Sequence, residues 1–244
     1  MFGWRARIGV LVPPGNPTVE PEMYRMAPEG VTLHFARMQA PPSGGPAGGA
    51  AGMEERSRAY REGIDAPAAT LADVRPAVVV LAHTASSYAL GFGRETPLID
   101  RITACTGAPT VMAAHAALAA LRHLGVSRLA LGTPYPEAIS RQGQAYWQAA
   151  GFDVVGYHRL MDVQDIYAES EERAYVLARR ADVPDAEAVL LSGTGLPTVA
   201  MLETLERDLG KPVISSNQAC LWRALRLAGV REPIAGYGRL LREG

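Results

Sequence analysis

Short aliphatic runs recur along the chain, and each is followed by a stretch with helical spacing. "RIGVLV" (7–12), "AVVVLA" (77–82), "RLALGT" (128–133), "AVLLS" (188–192) and "PVISS" (212–216) are continuous apolar runs of the length of buried parallel strands. "VTLHFARM" (31–38) alternates instead, which predicts a strand nearer a sheet edge. The periodicity predicts helices over 53–74, 115–125, 137–151, 166–182, 198–210 and 218–229, with Gly125 as a C-terminal stop. Strand alternating with helix is the pattern of an α/β fold with parallel sheets. The charged positions of 163–182 fall at helical spacing and predict a solvated helix face.

The pattern also repeats. "RIGVLVPPGNPTVEPE" (7–22) is matched by "RLALGTPYPEAISRQ" (128–142): an arginine, an aliphatic strand, a proline turn, then a helix-compatible segment. "AVVVLAHT" (77–84) is matched in the same way by "EAVLLSGT" (187–194). Two similar halves would form a pocket between them, and in open α/β sheets a ligand sits outside the carboxyl ends of the strands. Four turns fall there: "PPGN", "HTASS", "TPY" and "SGTG". They offer uncharged hydroxyls, amides and exposed backbone N–H groups, a set suited to a small carboxylate more than to a polyphosphate. No lysine or arginine lies within the four turns themselves.

Composition narrows the function further. The 244 residues are 48% hydrophobic, with 24 basic and 25 acidic residues and a net charge of −1. Without a basic block, neither nucleic acid nor a membrane surface is an expected partner. No apolar run approaches the roughly 20 residues of a membrane span. The two cysteines, Cys105 and Cys220, make no disulfide framework, and a cytoplasmic location is expected. His34, His83, His115, His123 and His158 show no paired metal-ligand spacing, so no metal is expected. "GTG" after a late strand lacks the third glycine of a dinucleotide fingerprint, and no cofactor is expected. The segment "APPSGGPAGGAAG" (40–52) cannot pack a core; it is either a lid over the pocket or a lengthened surface loop.

The motifs carry a resemblance. "RIGVLVPPGNPTVEPE" is similar to the start of maleate cis–trans isomerases. "VSRLALGTPYPE", "AVLLSGTGLPTV", "LERDLGKPVISSNQACLWRALRLAG" and "GYGRLL" resemble both those isomerases and arylmalonate decarboxylases, within the Asp/Glu/hydantoin racemase superfamily. The resemblance implies two Rossmann-like α/β halves related by a pseudo-twofold, with the active site between them. Residues 1–112 with 217–244 would form one half and 113–216 the other. Oligomeric state is left open between a monomer and a homo-oligomer.

That superfamily relies on cysteines at the strand ends, which move protons or add to the substrate. Carried over by position, the first cysteine falls on His83 and the second on Gly193. Glycine cannot attack, accept or donate a proton, so neither a two-base racemase nor covalent thiolate catalysis at these positions is expected. By the resemblance, Pro14, Asn16, Ser86, Ser87, Gly193, Thr194 and Gly195 would bind the substrate, and Thr84 and Tyr135 would assist His83. Imidazole suits one-base general acid–base work. The expected function is a cysteine-independent lyase, decarboxylase or hydrolase acting on a small mono- or dicarboxylate through His83. The alternatives are a carboxylate-binding protein without turnover, and an isomerase using a displaced Cys220.

Overall fold

The computed structural model describes residues 2–40 and 47–243. The first half runs β1 (Ala6–Val12), α1 (Val19–Met26), β2 (Val31–Arg37), α2 (Met53–Glu62), α3 (Asp65–Ala72), β3 (Val78–Leu81), α4 (Thr84–Leu90), α5 (Thr96–Thr106), β4 (Thr110–Met112) and α6 (Ala113–His123). The second runs β5 (Arg128–Thr133), α7 (Glu137–Ala149), β6 (Asp153–Arg159), α8 (Glu171–Ala181), β7 (Ala188–Leu191), α9 (Leu202–Leu209), β8 (Val213–Ser215) and α10 (Ser216–Leu227), with a short α11 (Arg239–Glu243) closing the chain.

Each half builds one four-stranded parallel sheet, ordered β2-β1-β3-β4 and β6-β5-β7-β8. The two orders correspond strand for strand, as the repeated patterns predict. The inner strands β3 and β7 are buried at every position, and this is why they carry uninterrupted aliphatic runs. Val80 lies in register between Val10 and Val111 in the first sheet. In the second, Leu131 pairs with Leu190.

Three predicted helices divide. Residues 53–74 form α2 and α3, because Gly63 caps the first by donating its N–H to the Ala59 carbonyl. Residues 166–182 form a 3-10 turn (Ile166–Ala168) and then α8, which starts where the Ser170 hydroxyl accepts the Arg173 N–H. Residues 198–210 likewise begin as a 3-10 turn (Val199–Met201) before α9. The expected solvated face is therefore confined to α8: Ile166 is buried and Tyr167 turns inward.

One apolar cluster runs through both halves. Val80, Ala85 and Tyr88 of the first half share it with Leu131, Trp147 and Leu191 of the second. Tyr88 links the two through polar atoms as well: its hydroxyl lies 2.7 Å from Ser192 Oγ and accepts the Trp147 indole N–H at 2.8 Å. Gly143 on α7 leaves room for the Tyr88 ring, because a Cβ there would come within 2.8 Å of it. Helices α6 and α10, which follow the last strand of each sheet, pack on one another. Among the described residues no helix is long and apolar enough to cross a membrane.

Candidate active site

The carboxyl ends of β1, β3, β5 and β7 converge between the two sheets, and α10 ties them together. Ser216, the first residue of α10, accepts the Gly193 N–H at 3.0 Å, and its Oγ lies 3.2 Å from Thr84 Oγ1. Thr194 donates its hydroxyl to the Ala82 carbonyl at 2.9 Å, so the β7 end is bonded directly to the β3 end. Asn217 donates to the Thr194 carbonyl at 3.1 Å and to the Glu22 carboxylate at 2.6 Å. Glu22 also accepts the backbone N–H groups of Thr198 and Val199. Burial nevertheless raises its pKa, against the lowering effect of these three donors.

The β1 end is a cap. Asn16 Oδ1 accepts the N–H groups of Thr18 at 2.8 Å and Val19 at 3.1 Å, opening α1. Arg37 straps the turn from outside by donating to the carbonyls of Pro13, Pro14 and Asn16. Thr18 reaches across to the Gly195 carbonyl at 3.0 Å.

A small cavity opens in front of these turns. Of the residues expected from the sequence, His83, Tyr135, Thr194 and Gly195 line it. Asn16, Thr84, Ser86, Ser87 and Gly193 are buried behind that wall, where most of them serve its hydrogen bonding, while Pro14 is exposed and does not line the cavity. Thr84 contributes a side-chain hydrogen bond to Tyr135, and Ser86 Oγ lies 2.8 Å from His83 Nδ1. That contact leaves Nε2 as the ring nitrogen free for a ligand. The Tyr60 ring meets the imidazole edge-on, with centroids 5.3 Å apart.

Four lining residues with polar side chains lie outside the strand-end motifs. Arg56, Ser57 and Tyr60 come from α2, and Tyr167 comes from the turn after β6. Arg56 is only 5% exposed and folds back to donate to the carbonyls of Gly49 and, at 2.6 Å, Ala51. Ser57 Oγ is buried without a hydrogen-bond partner among the described residues. An arginine and an unsatisfied hydroxyl on one wall are what an anion needs. The described part of the 40–52 loop covers the cavity: Ala47 and Gly48 line it, and the Gly48 carbonyl accepts the Ile166 N–H at 3.1 Å. Residues 41–46 lie outside the described residues.

The titrating groups are held neutral. Burial, then the positive charges of Arg61 and Arg56, lower the His83 pKa from 6.5 to about 3. Burial drives the Tyr135 phenol well above its ordinary 10. Cys220 is fully buried in the core, where its thiol is pushed up to about 12, and it does not line the cavity. Cys105 sits near the C-terminus of α5, 3.9 Å from Asp65. His115 pairs with the buried Glu95 at 3.1 Å, and His123 packs on Trp222; neither lines the cavity. Among the described residues no three His, Cys, Asp or Glu side chains converge on a metal-sized site.

The His83 environment sets an acid limit on stability. Below pH 6.5 the unfolded chain takes up a proton that the folded imidazole refuses until about pH 3. The unfolded state then binds more protons, so stability falls as pH drops through that window and is untouched by this group above it. Denaturant melts from pH 7 to 4 should show a shallower decline for His83→Asn than for the unaltered chain.

Gly193 is fixed by backbone and space together. Its φ of +116° is strained for any side chain, and a Cβ would meet Pro134 Cγ at 2.9 Å and the Tyr135 hydroxyl at 3.3 Å. Gly193→Ala should destabilise the fold by about 2–3 kcal/mol, read as a lowered Tm.

The arylmalonate decarboxylase family model matches residues 8–241. The chain belongs to that family. It is 30% identical to a maleate isomerase of Nocardia farcinica (strain IFM 10152), an alignment covering 97% of this chain and 96% of the relative. It is 34% identical to an arylmalonate decarboxylase of Bordetella bronchiseptica over 68% of this chain and 72% of the relative. A solved structure of a cysteine-to-serine variant of the Nocardia farcinica maleate cis–trans isomerase, with a covalently bound succinylcysteine intermediate, superposes with a TM-score of 0.88. It is 26% identical, and the match covers 98% of this chain and 99% of that one. The family's named members are thus isomerases and decarboxylases of small carboxylates, on the two-sheet architecture described above.

Proposed function

We propose that this chain is a cysteine-independent enzyme of the arylmalonate decarboxylase family. Its substrate is a small dicarboxylate, and its His83 is the general acid–base. One observation carries the reading. The cavity wall presents one imidazole and one buried guanidinium, while the two thiols of the chain lie away from it. Maleate and arylmalonates are named for the relatives, and both are dianions.

In this account one carboxylate takes the Arg56 charge and the open Ser57 hydroxyl. Charge developing on the other is stabilised by the Tyr135 phenol, still protonated at neutral pH, and by the turn at Thr194 and Gly195. The bound dianion offsets the Arg61 and Arg56 fields that hold His83 uncharged, so the imidazole regains basicity when substrate is present. Its Nε2 then passes one proton to or from the substrate carbon or an attacking water. A second reading, a binder without turnover, is favoured by the weak basicity of His83 in the closed cavity.

Proton NMR in D2O separates the two. The protein is incubated with maleate, phenylmalonate, methyl-substituted malonates, aspartate, glutamate, a hydantoin, cyclic amides and lactones. The enzyme reading predicts loss of a substrate signal, with deuterium at the α-carbon if the route passes through an enediolate. Saturation transfer from a dicarboxylate with no turnover would support the binder and refute the enzyme.

A further inference from the structure

Tyr167 has no counterpart in the strand-end motifs, yet its ring meets three glycines from three separate segments. A Cβ on Gly195, at the β7 end, would lie 2.6 Å from Tyr167 Cε1 and 2.7 Å from Cδ1. On Gly48, in the covering loop, it would lie 2.8 Å from Cδ2 and Cγ. On Gly15, at the β1 end, it would lie 3.5 Å from Cε2. None of the three glycines has a positive φ, so backbone freedom does not require them. What requires glycine at 195 is room for this ring; at Gly48 the ring shares that role with Asp165 Oδ1, which a Cβ would meet closer still, and at Gly15 the crowding comes from Ala47 while the ring is in ordinary contact.

The turn that carries Tyr167 is itself held. Asp165 Oδ1 accepts the Tyr167 N–H at 2.9 Å, and Ile166 bonds to the covering loop. The half-buried ring lines the cavity together with Tyr60 and Arg56, and burial raises its phenol above the ordinary pKa. The side chain therefore fills the gap between the first and fourth strand ends, beneath the loop.

The geometry points to Tyr167 as the residue that sets substrate size: its ring takes the space that a bulky substituent on the dicarboxylate would need. The inference rests on the proposed function only in taking the cavity as the anion site. It deepens that reading by restricting the substrate to small dicarboxylates without an aryl group.

The test uses succinate and phenylsuccinate, a matched pair lacking the malonyl carbon from which carbon dioxide is lost. Both are titrated calorimetrically into the unaltered protein, Tyr167→Phe and Tyr167→Ala. Succinate should bind all three within about threefold. Phenylsuccinate should bind the unaltered protein and Tyr167→Phe weakly, and Tyr167→Ala at least about tenfold more tightly, a typical gain from opening a shaped pocket. Equal loss of both ligands in folded Tyr167→Ala would make the ring a structural prop and overturn the proposal.

Gly195→Ala keeps the question open to decision if Tyr167→Ala fails to fold. The added methyl should weaken succinate binding about tenfold by pressing on the ring, and Gly195→Ala/Tyr167→Leu, which trims the ring but keeps apolar bulk in its place, should restore it. A double variant no better than Gly195→Ala alone would overturn the assignment. Failure of the unaltered protein to bind succinate or any other dicarboxylate of the panel would refute the anion reading, and this proposal with it. A succinate-binding protein indifferent to Tyr167 refutes this proposal alone.

Discussion

Replacing His83 by asparagine should lower kcat/KM for the proposed dicarboxylate substrate by about a thousandfold, the middle of the range for removing a general acid–base group. Asparagine retains a polar group that can reach Ser86 Oγ, which lies 2.8 Å from Nδ1 in the unaltered chain. It cannot carry a proton between substrate and solvent. The loss should fall on kcat, because the proposed site assigns the anion to Arg56 and Ser57 rather than to the imidazole. Steady-state rates with the substrate identified by NMR check both statements. A His83→Asn enzyme within threefold of the unaltered rate would remove the imidazole from the chemistry.

Arg56→Met has the opposite kinetic signature. Arg56 brings the buried positive charge to the cavity wall and also donates to the Gly49 and Ala51 carbonyls of the covering loop. Loss of a buried charge-assisted contact costs about 1.5–3 kcal/mol, so KM should rise roughly 10- to 100-fold. The loop carbonyls lose a donor in the same step, and the Tm should fall. His83 should gain basicity, since the Arg56 charge contributes to lowering its pKa. The pH–rate profile would then move upward on its acidic limb. A raised KM with an unmoved profile would separate the binding role of Arg56 from its electrostatic one.

β1, β3, β5, β7 and β8 were legible in the sequence as apolar runs, and β2 as an alternating strand at a sheet edge. β3 and β7 are buried at every position, β1 and β5 at every position but an arginine near the start, and the ends of these four strands mark the site directly. β4 has three residues, too short for any period to register. β6 is an edge strand with a glycine at its centre and mostly half-exposed positions, so its run is diluted. Helix α4 is short and rich in serine and threonine, because its first turn builds the pocket rather than the core.

The candidate site divides along the same line. His83, Tyr135, Thr194 and Gly195 follow strands, and strand ends can be placed from the pattern alone. Arg56, Ser57 and Tyr60 occupy one helix whose position depends on how the 47–52 segment folds over the pocket, and no local period reports that. The one available signal was Arg56 immediately after a glycine-rich loop already considered as a lid. Tyr167 was hidden differently: its neighbours carry charge at helical spacing, and the 3-10 turn that points it inward interrupts that spacing without changing composition. The partners of its ring, Gly15, Gly48 and Gly195, are far apart in sequence and meet only in the fold.

The central claim is that an imidazole has taken over where the family uses thiols. The most direct measurement follows substrate consumption and deuterium entry by NMR in D2O for three proteins side by side: the unaltered chain, Cys105→Ser/Cys220→Ala and His83→Asn. The account predicts that the cysteine-free enzyme turns over within about threefold of the unaltered chain, while His83→Asn is nearly silent. A folded cysteine-free protein that has lost turnover, beside an active His83→Asn, would contradict it.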